Sequence, residues 1–155
     1  MPQNKPISQA LFIMRFISSL VACACIVGAA AQRSFLGGPP EGTTIHPGKH
    51  FTVQLIRPNS IEGSTEVGLV IGLLSCAAHP AGCPTPDTQL GSILFNGDFK
   101  PTIHEIAGQP YENFTVTVPS GFPSGIAQLS TARFHLIGAG PSPILEFNNV
   151  TLNVV

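Results

Sequence analysis

The sequence predicts an all-β fold: an immunoglobulin- or fibronectin-III-like β-sandwich of about seven strands, preceded by a signal peptide. Three observations predict it. Apolar and polar residues alternate with a period of two over several short runs, the signature of half-buried strands. Turn residues punctuate those runs, with 16 glycines and 15 prolines in 155 residues, while charged residues make up only 10%. No run of useful length repeats at the helical period. A chain of this length holds one domain. Its formal net charge of −1 offers no basic field for nucleic acid and no charge run for an anionic membrane.

Residues 1–15 carry Lys5 and Arg15 and no acid. The apolar run from Phe16 (FISSLVACACIVGAAA) follows and ends in small residues. This is a secretory signal with its cut after Ala31. The alternative, a membrane anchor, needs roughly 20 apolar residues, and this run falls short of that. Residues 1–31 are therefore the signal peptide, 32–44 a flexible leader and 45–155 the sandwich domain, with no membrane association after cleavage. The mature chain keeps five basic residues against eight acidic ones, a net charge of −3.

The leader holds Gly37-Gly38-Pro39-Pro40 and reads as irregular. Ile45-His46-Pro47-Gly48 is a strand end and a turn. Phe51, Val53 and Leu55 alternate with Thr52 and Gln54 and form a strand, which Pro58 stops. Val67 to Leu74 is apolar on both faces, as a central sandwich strand is. Leu90 to Phe95 is the next strand, closed by the tight-turn signal Asn96-Gly97-Asp98. Phe99 to Pro110, with Ile103 and Ile106, is a short edge strand or an ordered loop. Tyr111 to Gly140 reads as a central hairpin. Phe114, Val116 and Val118 form one arm and PSGFPSG the turn. Leu129, Ala132, Phe134 and Leu136 form the other arm, with His135 on its polar side. The last strand runs from Ile144 to Val155, with Val150, Leu152 and Val154 inward.

Cys76 and Cys83 are the cysteines that remain after cleavage. In a secreted chain they predict a disulfide that shapes the loop CAAHPAGC. Two N-glycosylation sequons, Asn113-Phe114-Thr115 and Asn149-Val150-Thr151, fit the strand pleat, because inward Phe114 and Val150 leave Asn113 and Asn149 facing solvent.

Reactive constellations are not evident. His46 and His50 have metal-like spacing only on a helix, and Pro47-Gly48 lies between them. His79, His104 and His135 are scattered, so no metal site and no cofactor is predicted. Ser120 and Ser124 sit in turns without an acid–histidine set, and no Gly-x-Ser-x-Gly elbow occurs. Glu105 and Glu112 flank a loop and read as solvated acids rather than a glycosidase pair. Tyr111 alone offers an aromatic platform for a sugar.

Several of these segments match a family: GKHFTV from Gly48, LGSILFNG from Leu90, NFTVTVP from Asn113, Gly125 with Leu129, ARFHLIGAG from Ala132 and NVTL from Asn149. In them the mature chain resembles the necrosis-inducing secreted effector family of fungi. The loop between Cys76 and Cys83 looks like an insertion and carries no family role. The resemblance implies a non-enzymatic extracellular protein acting at or within the host plant cell. It implies induction of plant cell death and suppression of pattern-triggered immunity through binding of immune receptor-like kinases. It transfers no catalytic residue. The alternative is a secreted cell-wall or carbohydrate-associated binding module without catalytic activity.

Overall fold

The computed structural model describes residues 33–155; the signal-peptide reading of residues 1–31 lies outside them. Eight strands occur: β1 (Phe35–Gly38), β2 (Thr44–Ile45), β3 (His50–Ile56), β4 (Ser64–Ser75), β5 (Ser92–Gly97), β6 (Tyr111–Thr117), β7 (Gly125–Ile137) and β8 (Ser142–Val154). They form a three-stranded sheet in the order β1-β3-β6 and a five-stranded sheet in the order β2-β8-β7-β4-β5. No described residue is helical. The all-β sandwich reading holds.

In β3, β6 and the end of β8 the core is where the alternation predicted it. Val53 and Leu55 of β3 and Phe114 and Val116 of β6 face Leu69, Ile71 and Leu73 of β4, Ala127 and Leu129 of β7, and Leu152 and Val154 of β8. Removing an aliphatic side chain of this kind from water contributes about 1.5–3 kcal/mol. The inner face of β4 meets the core through Leu69, Ile71 and Leu73, and Leu90 packs over Gly72 on the outer face, so both faces are apolar over Leu69 to Leu74.

Three readings are corrected. Tyr111 to Gly140 is not a hairpin. β6 pairs with β3 in the small sheet, while β7 pairs with β4 and β8 in the large one. PSGFPSG therefore carries the chain from one sheet to the other. Its prolines cannot donate to a ladder, and Phe122, buried at its centre, closes the core from below. The true hairpin of this region is β7–β8, paired from Gly125↔Val154 to Ile137↔Ser142.

The segment 32–44, read as a flexible leader, contains β1 and the start of β2. Its glycines and prolines hide an anchor at Ser34. The Ser34 amide donates to Glu146 Oε1 at 2.9 Å and its hydroxyl to Glu146 Oε2 at 2.9 Å. β1 then pairs antiparallel with β3.

The third correction concerns β7. Ala132, Phe134 and Leu136 face outward, and Arg133 and His135 face inward. Arg133 is 1% exposed and His135 4%, so the supposed polar side of this strand is the interior.

Candidate interaction surface

The reversal in β7 is shared by its neighbours. Register puts Leu73, Leu129 and Val150 in one inner row and Ile71, Thr131 and Asn148 in the next; Leu69, Arg133 and Glu146 follow, then Glu66, His135 and Ile144. Moving along the large sheet, the interior changes from hydrocarbon to charge. A bulge makes this possible in β4. Gly68 pairs with Phe134 but Glu66 pairs with His135, so β4 spends one extra residue at Val67. An extra residue shifts every side chain beyond it to the other face. Leu69, Ile71 and Leu73 point inward on one side of the bulge. On the other side Glu66 points inward, and Val67 is left 48% exposed.

The buried charges form a closed network. Arg133 donates from Nε to Glu66 Oε2 at 2.7 Å and from Nη2 to Glu66 Oε1 at 2.6 Å, a bidentate pair. Its Nη1 donates to Glu146 Oε2 at 2.7 Å. Ser34 occupies both Glu146 oxygens from the other side, and Asn148 Nδ2 donates to Ser34 Oγ at 3.0 Å. Phe99 of the small-sheet side lies 5.8 Å from the guanidinium carbon. Burial alone would weaken the hold of Arg133 on its proton. The hydrogen bonds and charges of Glu66 and Glu146 outweigh that and raise its pKa. His135 is affected in the opposite sense. Burial and the Arg133 charge depress its pKa, against the opposing pull of Glu66 and Glu146. Its Nδ1 is buried without a hydrogen-bond partner.

Turning charge inward turns hydrocarbon outward. On the outer face of the same strands the rows read Val70–Ala132–Phe147, Gly68–Phe134–Leu145 and Thr65–Leu136–Pro143. None of these nine residues is charged. Phe134 is 38% exposed and Leu145, directly opposite it, 57%. The outer face at the other end of the sheet is covered instead. Cys76 and Cys83 are joined as a disulfide with Cα atoms 5.0 Å apart. The chain that follows lies against β7, where Gln128 Nε2 donates to the Pro84 carbonyl at 2.9 Å. Leu90 packs so closely over Gly72 that a Cβ there would collide with its backbone. A shallow cleft of about 520 Å³ opens beside this loop, bounded by Leu74, His79, Phe122 and Pro123.

The remaining residues singled out by sequence do not converge. His46 meets the Val155 carbonyl at 3.0 Å, and His50 meets the Thr117 hydroxyl at 2.7 Å. His79 lies in the disulfide loop. Among the described residues no three His, Cys, Asp or Glu side chains gather as metal ligands. The Tyr111 hydroxyl donates to Glu105 at 3.1 Å, and Glu112 accepts from the Lys100 amide. A backbone hydrogen bond and that hydroxyl hold the Glu105 carboxyl below the usual range. A glycosidase acid needs the opposite shift. The Tyr111 ring is stacked on His104, centroids 4.0 Å apart and planes 22° from parallel, so one face of the sole predicted sugar platform is taken. Asn113 and Asn149 are both exposed, on the small and large sheets respectively. Asn113 Oδ1 accepts from Gln54 Nε2 at 3.1 Å, and Asn149 Nδ2 lies 3.4 Å from Gln128 Oε1.

The family model of the Nis1 family matches residues 23–153. The chain belongs to the Nis1 family. Two proteins named necrosis-inducing secreted protein 1 are similar to this Nis1-family chain. The one from Colletotrichum orbiculare is 26% identical over 141 residues, covering 91% of this chain and 81% of that protein. The one from Colletotrichum higginsianum is 27% identical over 142 residues, covering 91% of each. Among solved structures, murine CRIg superposes with a TM-score of 0.40 at 13% identity, covering 79% of this chain and 98% of its own. The CooA pilin subunit from enterotoxigenic Escherichia coli gives 0.33 at 12% identity, with the same coverage.

The uncharged outer face is the functional candidate that sequence reasoning missed. Its signal was present in ARFHLI, a strand in which Arg133 and His135 alternate with Ala132, Phe134 and Leu136. In a chain so poor in charge, an arginine at the centre of a strand marks a place where the interior is ionic.

Proposed function

We propose that this Nis1-family protein is a secreted fungal effector that acts by surface contact rather than by catalysis. Its family membership, its two relatives named as necrosis-inducing secreted proteins and its signal-like first 31 residues support secretion and a role in host cell death. The observation that carries the contact reading is the uncharged outer face of β4, β7 and β8. Exposed apolar patches rimmed by polar residues mark interaction sites. We place the immune receptor-like kinases implied by the family resemblance on this face, with suppression of pattern-triggered immunity as the consequence.

Phe134→Asp combined with Leu145→Asp tests this. The two positions are directly opposite in the ladder, so the aspartates repel each other and lose a cross-strand contact, and stability should fall by about 1–3 kcal/mol, a loss the core can absorb. Co-precipitation with a receptor-like kinase, and the blunting of an elicitor response in leaves, should both fall at least about tenfold, which is about 1.4 kcal/mol of contact energy. A folded double variant that still binds at full strength would overturn the assignment of the face.

A further inference from the structure

A second groove, of about 530 Å³, runs between the β1 segment and the stretch of β8 that β2 leaves unpaired. Phe35, Pro39, Pro40 and Glu41 line it from the first strand and the chain after it, and Phe147 and Asn149 line it from β8. The lining thus includes the acceptor of a sequon. We propose that Asn149 bears an N-linked glycan whose first N-acetylglucosamine lies in this groove against the Phe147 ring.

The strand pleat supplies the geometry. Phe147, Asn149 and Thr151 pair with Ala132, Ser130 and Gln128 and share the outer face of β8. Neighbours on one face of a strand stand about 6.8 Å apart, close enough for a sugar on Asn149 to lean back over Phe147. A hexosamine ring has one face of C–H groups, and an aromatic ring presents a negative, apolar face to them. Asn149 is exposed. Its only side-chain contact is a long one, Nδ2 to Gln128 Oε1 at 3.4 Å on the β7 side, and turning the amide toward Phe147 gives up no more than that contact.

The other sequon shows what is special about this one. Tyr111 precedes Asn113 by the same two residues on β6. Its ring is stacked on His104 and its hydroxyl is bound to Glu105. A glycan on Asn113 would meet an aromatic that already has a partner, while one on Asn149 meets an open groove.

The attachment balances simply. Asn149 Nδ2 bonds to the anomeric carbon of a polyprenyl-diphosphate-linked oligosaccharide. The bond from that carbon to the diphosphate oxygen breaks, the diphosphate leaves with the electron pair, and Nδ2 gives up one proton. The proposal rests on the secretion reading, since that donor belongs to the secretory pathway.

The full chain expressed in yeast tests it. Intact mass of the protein from the medium should show a glycan on Asn149 that is absent from Asn149→Gln. After trimming with an endoglycosidase that leaves one sugar, the Tm should still exceed that of Asn149→Gln by about 3–5 °C. Asn113→Gln should leave the Tm unchanged. In a Phe147→Leu background, which keeps apolar bulk but removes the ring, most of the Asn149 increment should vanish. Secreted protein with Asn149 bare, or an increment that persists in Phe147→Leu, would overturn the proposal. Retention in the cell would count against secretion instead. Replacing residues 1–31 with a yeast signal then reads the sequon directly, with the same two outcomes.

Discussion

The two ends of the large sheet are built from the same strands by opposite rules. At one end Leu73, Leu129, Val150, Leu152 and Val154 face the interior, and the disulfide-bearing loop covers the exterior. At the other end Glu66, Arg133, His135 and Glu146 face the interior, while Phe134 and Leu145 face solvent. Backbone ladders are indifferent to this change, because β7 and β8 pair without a break from Gly125↔Val154 to Ile137↔Ser142. What differs is how much each end depends on geometry. A hydrocarbon interior is non-directional and tolerates adjustment. An ionic interior is stable only while every member keeps its partner. The second rule also leaves apolar surface outside, which is where a contact protein needs it.

The largest effect should come from breaking the ionic end. Arg133→Ala removes the guanidinium that two carboxylates share, leaving Glu66 with Arg57 at 3.8 Å and Glu146 with Ser34, and we expect it to cost about 3 kcal/mol in urea or thermal unfolding. Leu129→Ala, two inner rows away on the same strand, should cost about 2–5 kcal/mol through the cavity it leaves. Arg133→Lys keeps the charge but loses the fork that grips Glu66 at both oxygens, so it should fall between wild type and Arg133→Ala. An Arg133→Ala variant within about 1 kcal/mol of wild type would mean that the network contributes no more than a surface ion pair, and the contrast between the ends would collapse.

Legibility in the sequence followed the same division. At the hydrocarbon end, alternation in HFTVQLI and NVTLNV identified Val53, Leu55, Leu152 and Val154 as interior, because period two and burial agree there. At the ionic end, period two was equally clear but the sign was reversed, and a hydrophobicity pattern has no means of saying which face is in. Only the bulge at Val67 flips β4 so that Glu66 meets Arg133, and a bulge is fixed by pairing with β7, where Arg133 lies 67 residues from Glu66 and the local sequence does not name it. β1 was illegible for a related reason. Its anchor is Ser34 on Glu146, 112 residues apart, and FLGGPP has no strand pattern of its own. The apparent hairpin across PSGFPSG failed because a local turn signal does not specify which sheet the next strand joins.

Removing the cover at the hydrocarbon end should have a smaller effect than breaking either interior. Cys76→Ser with Cys83→Ser opens a short loop, for which the chain-entropy account gives about 2–3 kcal/mol as an upper figure. The covering chain keeps its other ties, including the Gln128 bond to Pro84 and the Cys76 amide bond to the Ile126 carbonyl. We therefore expect the core strands to hold. Hydrogen exchange should rise over residues 76–91 and at Gln128 and Ser130 beneath them, and stay unchanged around Arg133. Equal loosening at both ends would show that the loop supports the whole sandwich rather than one face.

The subtlest test reads the ionic end through its histidine. His135 faces Arg133 on its own strand, Glu66 from β4, Glu146 from β8 and Arg57 from the end of β3. Burial first, then the Arg133 charge, depress its pKa, so the folded protein holds it neutral. In the unfolded chain it titrates near about 6.5. Between those two values the unfolded state binds the extra proton, so stability rises with pH there and is lost as pH falls below about 6.5 toward the folded value. Above that window His135 costs the fold no proton. Wild type should therefore lose more Tm between pH 7.5 and pH 5 than His135→Leu, which removes the titration and the unpartnered Nδ1 together. His46, His50, His79 and His104 lie outside the core and are the same in both proteins, so their contributions cancel in the difference. Parallel pH profiles would mean that water or a rearranged carboxylate reaches His135 once it charges, and the ionic end would then be softer than its hydrogen bonds suggest.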